Sequence, residues 1–146
     1  MALITEITPT AATTNYDQDI FMTSELPPKK LLIVDDSKVS RMIIRARVLA
    51  IYPHWEILEA SNGPEGIASA KEHLPNFCTM DINMPGMLGT EAAEIILQEI
   101  PQVRVVIFSA NIQESFQDRA SAMGAIFVAK PITEKSIAEA LNYFMG

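Results

Sequence analysis

From Lys29 onward the chain repeats one pattern five times: a short apolar run that stops at polar residues, then a longer stretch with apolar residues at helical spacing. The runs are Leu31–Val34, Trp55–Glu59, Phe77–Met80, Val103–Phe108 and Ala125–Val128. Repeated strand–helix units can be joined only by crossovers, which makes the sheet parallel with helices on both faces. Leu31-Leu32-Ile33-Val34 is apolar throughout, as a strand covered on both sides must be. Trp55–Glu59 mixes polar and apolar positions and suits a half-exposed edge. The pattern predicts an α/β, doubly wound (βα)5 domain with a five-stranded parallel sheet. The chain's 146 residues suit one such domain and leave no room for a second.

Helical periodicity fills the segments between strands. In the first helix Val39, Met42, Ile43, Ala46, Leu49 and Ala50 recur at helical spacing and are read as the inward stripe, with Lys38, Arg41, Arg45 and Arg47 on a solvated opposite face. The second is predicted to start at Asn62, capped by that side chain with Glu65 returning a hydrogen bond. Ile67, Ala70 and Leu74 form its inward stripe. A third begins near Thr90, with Ala93, Ile96, Leu97 and Ile100 inward and Pro101 as the stop. Ile112, Phe116, Ala120 and Met123 mark the fourth, with Gly124 in its C-terminal turn. Thr133 caps the fifth, whose inner face is Ile137, Ala140, Leu141 and Phe144.

Residues 1–28 follow neither period. They are rich in Thr, interrupted by Pro9 and closed by Pro27-Pro28. This predicts a flexible N-terminal arm, with a short helix near Asp19–Met22, ahead of a domain at 29–146; an arm that docks on a partner is the functional alternative. Four of the acids behind the net charge of −7 lie there: Glu6, Asp17, Asp19 and Glu25. The acidic balance argues against a nucleic-acid surface, which is ordinarily basic. A lone cysteine, Cys78, sits in an apolar run and reads as a buried structural thiol in a reducing compartment. No apolar run approaches the roughly 18 residues of a membrane span, and no basic-then-apolar leader opens the chain. A cytoplasmic location is expected, with no membrane partner.

Chemistry concentrates where the strands end. Asp35 and Asp36 follow the first, Asp81 the third, Ser109 the fourth and Lys130 the fifth. In an open α/β sheet such ends converge on one edge, where ligands bind. Three carboxylates gathered there repel one another, and a divalent cation removes that cost. Carboxylate ligands suit Mg²⁺, which also takes phosphate oxygens. Acid, metal, lysine and hydroxyl together are the parts of phosphoryl transfer. Asp36→Ala is accordingly expected to stabilise the metal-free protein while weakening Mg²⁺ binding.

Leu31-Leu32-Ile33-Val34-Asp35-Asp36, Asp81-Ile82-Asn83-Met84-Pro85-Gly86, Ser109-Ala110 and Lys130-Pro131 resemble the receiver domain of two-component response regulators, the CheY-like family, over roughly residues 29–146. The resemblance implies the flavodoxin-like strand order 2-1-3-4-5, which is carried over from the family. It implies that Asp81 accepts phosphate and that Mg²⁺ is held by Asp36 and Asp81 directly, by Asp35 through water and by the Asn83 backbone carbonyl. Lys130 would pair with the acceptor carboxylate and then the phosphoryl group. Ser109 would bond a phosphoryl oxygen, and Phe127 would take the aromatic switch position without the hydroxyl of the common tyrosine. Pro131 would follow a cis peptide bond. Leu88 stands where many relatives carry an acid. His54 and His73 lie away from the cluster and receive no role.

The implied function is a stand-alone receiver, not an enzyme beyond its own phosphorylation and dephosphorylation. A histidine kinase or histidine phosphotransfer protein would load it. Output would pass to a downstream protein through the face made by the fourth helix, fifth strand and fifth helix, with the chain a monomer or weak dimer. A haloacid-dehalogenase-type phosphohydrolase would want an acid where Asn83 stands, and a cap domain. A non-phosphorylated scaffold would not need the complete acid, hydroxyl and lysine set.

Overall fold

The computed structural model describes residues 28–146; the arm expected at 1–28, with its short helix near Asp19–Met22, falls outside the described residues except for Pro28. The strands are β1 (Lys30–Val34), β2 (Glu56–Ala60), β3 (Phe77–Met80), β4 (Arg104–Ser109) and β5 (Ile126–Ala129). The helices are α1 (Lys38–Ile51), α2 (Gly63–His73), α3 (Gly89–Glu99), α4 (Glu114–Ala122) and α5 (Glu134–Met145). All strand pairs are parallel, and the sheet runs β2-β1-β3-β4-β5, as expected. β1 pairs with both β2 and β3, placing Val34 beside Ala60 on one side and Met80 on the other.

Strand alternation divides the core in two. Leu32, Val34, Cys78, Met80, Val105 and Ile107 face α2, α3 and α4, meeting Ala70, Ala92, Ala93, Ile96 and Ala120. Leu31, Ile33, Phe77, Val106, Phe108 and Val128 face α1 and α5, meeting Ile44, Val48, Ile137, Ala140, Leu141 and Phe144. Small alanines on α2, α3 and α4 let those helices lie close to the sheet. Trp55, Phe77 and Phe144 stack at the lower end of the other core, with ring centroids 5.1 and 4.7 Å apart. Cys78 is fully buried, and burial pushes its thiol up to about 12.

Several helix expectations change. α1 is turned relative to the prediction. Ile44 and Val48 are its buried residues, whereas Val39, Met42 and Ile43 are exposed. The helix is apolar around most of its circumference, so periodicity alone favoured the more populous stripe. The sheet instead takes Ile44 and Val48, and that orientation leaves Arg41 and Arg45 within reach of Glu59 at the edge of β2. Leu74 is exposed and sits in the left-handed region at φ 49° as the C-cap of α2, not on its inward stripe. Ile112 precedes α4 and is exposed.

The caps are mostly as expected. Asn62 accepts from the Glu65 backbone N–H at 2.9 Å, but Glu65 returns its carboxylate to the Ser61 N–H and hydroxyl rather than to Asn62. Thr133 and Ser136 form a reciprocal capping box on α5. Gly124 adopts φ +87° after α4, a conformation that favours glycine.

Candidate functional site

Backbone hydrogen bonds extend the sheet just past its strand ends and so fix the site. The Asp35 N–H donates to the Ala60 carbonyl at 3.1 Å, and the Asp81 N–H to the Val34 carbonyl at 2.9 Å. Asp35 and Asp81 therefore leave neighbouring strands side by side. The Lys130 N–H donates to the Ser109 carbonyl at 3.0 Å, setting the second pair in the same way. The Lys130-Pro131 peptide is cis, as expected.

One oxygen from each of Asp35, Asp36 and Asp81 lies within 4.8 Å of the other two. Asp35 and Asp81 are buried and Asp36 is exposed. Lys130 Nζ lies 2.8 Å from Asp35 Oδ2 and 3.7 Å from Asp81 Oδ2. The lysine thus binds Asp35 more tightly than the carboxylate it was expected to pair with, because Asp35 is nearer and its oxygen points at the ammonium. The other Asp35 oxygen accepts from the Ser37 N–H at 2.9 Å. Both Asp35 oxygens are therefore engaged, whereas Asp36 has no hydrogen bond or ion pair among the described residues.

Asp81 Oδ1 accepts from the Ile82 N–H at 2.9 Å. Burial raises the Asp81 pKa above its ordinary value, and the Asp35 charge raises it further; Lys130, the Ile82 N–H and the Ser109 hydroxyl work the other way. The electrostatic strain expected of the site accordingly resides in Asp81 beside Asp35. Asp36 is exposed to solvent and joins the same carboxylate cluster.

Ser109 is buried at the end of β4, where its hydroxyl accepts from the Asn111 N–H at 3.1 Å. Asn83 is exposed on the loop after β3, and its side-chain oxygen accepts from Asn111 Nδ2 at 2.9 Å. Phe127 is half-buried on β5, paired in register with Ile107, and packs against the α2–α3–α4 core. Leu88 is the N-cap of α3 without a side-chain hydrogen bond, and packs on that same core. His54 is exposed and His73 half-buried, its Nε2 3.7 Å from Glu72.

Three contacts at the site were not anticipated from the sequence. Arg41, read as part of a solvated face, donates to the Asp35 carbonyl at 2.7 Å and clamps the β1–α1 turn. The Asn83–Asn111 hydrogen bond ties two site loops together; both residues stand next to site motifs in the sequence, but nothing there pairs them. Gly89 opens α3 directly against Asp81: a Cβ there would overlap the Asp81 carbonyl oxygen and crowd the Ile82 Cα. Its signal was a glycine at a helix start just beyond a strand-end acid.

A buried acid at a strand end, two further acids, a shared lysine and a buried hydroxyl form an oxygen-rich cluster. Comparison with known proteins agrees with this arrangement. Residues 31–142 match the response regulator receiver domain family. The chain is 38% identical over 114 residues to the chemotaxis protein CheY of Bacillus subtilis, covering 77% of this chain and 94% of that one. It is 35% identical over 116 residues to CheY of Thermotoga maritima, covering 78% and 95%. The CheX–CheY–BeF3–Mg²⁺ complex from Borrelia burgdorferi contains a similar fold at TM-score 0.72 and 25% identity, covering 90% of this chain and 95% of that one. The chain belongs to the response regulator receiver domain family.

Proposed function

We propose that the protein is a phosphorylation switch in which Asp81 accepts the phosphoryl group. The observation that carries this reading is the setting of Asp81: buried, 3.7 Å from Lys130, and grouped with two other carboxylates. An Asp81 oxygen attacks phosphorus in line. The phosphorus–nitrogen bond to a donor histidine breaks, and its electron pair returns to the imidazole. Lys130 then shifts from the carboxylates toward the phosphoryl oxygens, as a mobile point charge. The Ser109 hydroxyl proton is not required by its contact with Asn111 and is available to a phosphoryl oxygen.

The all-oxygen donor set fits Mg²⁺. Asp36 and Asp81 would hold it directly, together with the Asn83 backbone carbonyl. Asp35, whose two oxygens are already engaged, would contribute through water. Bound there, Mg²⁺ would neutralise charge on the carboxylates and the incoming phosphoryl oxygens. Transfer is stoichiometric self-modification and hydrolysis rather than turnover of a substrate.

Ser109 movement toward phosphate would draw its loop inward and open space for Phe127 on the adjacent strand. The altered surface of α4, β5 and α5 would be read by a downstream protein. A histidine kinase or phosphotransfer protein is the donor, the working form is a monomer or weak dimer, and the cytoplasm is the location. Among the described residues no helix is long and apolar enough to cross a membrane. The receiver domain would begin at Lys29.

Incubation with acetyl phosphate and Mg²⁺ should add one phosphoryl group to the wild-type chain, read by intact mass. Asp81→Asn should stay unmodified; equal labelling of that variant would overturn the assignment.

A further inference from the structure

Arg41 reaches the carboxylate cluster through the backbone rather than through a carboxylate. Its Nη1 donates to the Asp35 carbonyl at 2.7 Å, and its Nε donates to Glu59 Oε1 at 2.9 Å. The side chain is only 15% exposed. Short bonds from an ionised donor are the stronger class, and a guanidinium holds two acceptors in one rigid fork. The Arg41 backbone N–H also donates to the Ser37 carbonyl at 3.0 Å. One residue on α1 thus spans the turn from Asp35 to Ser37 and ties it to the edge strand β2. Arg45 shares Glu59 at 3.4 Å, but it is exposed and makes no bond to that turn among the described residues.

Asp36 needs such support. It is exposed and makes no hydrogen bond or ion pair among the described residues, yet one of its oxygens lies within 4.8 Å of oxygens from Asp35 and Asp81. Its direction is therefore set by its neighbours. The Asp35 N–H is held by the Ala60 carbonyl, and the two Asp35 carboxylate oxygens by Ser37 and Lys130. The bond from Arg41 fixes the group that remains, the Asp35 carbonyl. The peptide joining Asp35 to Asp36 is planar, so holding that oxygen also holds the Asp36 N–H and Cα. We propose that Arg41 is a positioning residue for the metal site, aiming Asp36 at the cluster and thereby setting the affinity for Mg²⁺. This inference rests on the Mg²⁺ site proposed above.

Two effects of Arg41 on a bound cation have opposite signs. A guanidinium beside a cation site repels the ion, so removing its charge by itself tightens binding. Removing the support of a ligand weakens binding, and the partners that orient metal ligands are worth about 10–100-fold in affinity. The guanidinium charge is already offset by Glu59 at 2.9 Å. Its contact with the turn leaves the cluster's carboxylate oxygens free of it. Positioning therefore outweighs repulsion. Mg²⁺ is also the ion most sensitive to a misdirected ligand, because it demands near-octahedral geometry where Ca²⁺ accepts an irregular one.

The test titrates the full chain with Mg²⁺, and separately with Ca²⁺, in the absence of any phosphodonor, following amide shifts by NMR. Arg41→Met should weaken Mg²⁺ binding by about 10-fold or more, despite the loss of a positive charge, and should weaken Ca²⁺ binding less. Arg45→Met removes the exposed share of the Glu59 pairing and should leave the Mg²⁺ Kd within about twofold. Arg41→Lys keeps the charge but loses the fork, and should weaken Mg²⁺ binding too; it decides the matter if Arg41→Met does not fold in urea melts run in chelator. Unchanged or tighter Mg²⁺ binding in the Arg41 variants would overturn the positioning role. So would an equal loss for both ions, which marks a general loosening of the fold, or an equal loss in Arg45→Met. If the wild type itself shows no saturable Mg²⁺ shifts, the metal site proposed above fails and this inference with it; a wild type that binds beside variants that bind equally well overturns this inference alone.

Discussion

Asp81→Asn should stabilise the metal-free protein. Asp81 is 8% exposed. At an effective dielectric near 20, an Asp35 charge within 4.8 Å repels it by at least about 3.5 kcal/mol. Lys130 at 3.7 Å returns an attraction of about 4.5 kcal/mol. The two nearly cancel, and the lysine is shared with Asp35, to which it is closer. Burial then decides the outcome, and it disfavours the charged form. The folded-state pKa is accordingly raised above the ordinary 3.8, so the folded state holds this proton more tightly than the unfolded chain does. The stability cost is absent below pH 3.8, grows as pH rises through the raised value and is complete above it. A neutral amide removes the cost, with an expected gain of about 1–3 kcal/mol at pH 7, or roughly 3–6 °C in Tm per kcal/mol for a domain of this size. Thermal melts of both proteins in chelator, at neutral pH and near pH 3.8, supply the measurement. The variant should melt higher at neutral pH, with the difference shrinking in acid. An equal or lower midpoint at neutral pH, or a gain indifferent to pH, would refute the electrostatic reasoning.

Other variants probe separate links. Gly89→Ala forces the α3 start away from the Asp81 carbonyl, and a loss of about 3 kcal/mol or more in urea unfolding is expected, with phosphoryl uptake from acetyl phosphate reduced. Lys130→Met leaves Asp35 and Asp81 without their cation; melts should show a loss of about 3 kcal/mol, and carboxyl titration by NMR should find Asp81 raised further. Thr79 has a buried hydroxyl without a hydrogen-bond partner among the described residues, so Thr79→Val should gain about 1 kcal/mol in chemical denaturation. The Cys78 thiol should resist a water-soluble disulfide reagent in the native state and react at the unfolding rate.

The strand-end residues were legible because a strand's last position is set by where its apolar run stops, and parallel strands stop along one edge. That is why Asp35, Asp81, Ser109 and Lys130 could be brought together from spacing alone. α5 was legible for a related reason: one narrow stripe, Ile137, Ala140, Leu141 and Phe144, offers the sheet a single choice. α1 offered two. Its apolar residues occupy the outward as well as the inward face, so periodicity could not select between them. Leu74 and Ile112 were misplaced by extending a period beyond the helix itself, past the end of α2 and ahead of the start of α4.

The sequence by itself determined the parallel α/β layering, the edge on which chemistry gathers and the identity of the acids, hydroxyl and lysine gathered there. Only the tertiary structure decided how that lysine is divided between Asp35 and Asp81, that Asn83 bonds Asn111, that Gly89 must lack a side chain, and that α1 turns Val39, Met42 and Ile43 to solvent. Periodicity and turn chemistry act between near neighbours in the chain, so they can be read along it. Hydrogen-bond partners, charge sharing and the choice of helix face depend on distances between segments far apart in sequence, which exist only once the sheet has been assembled.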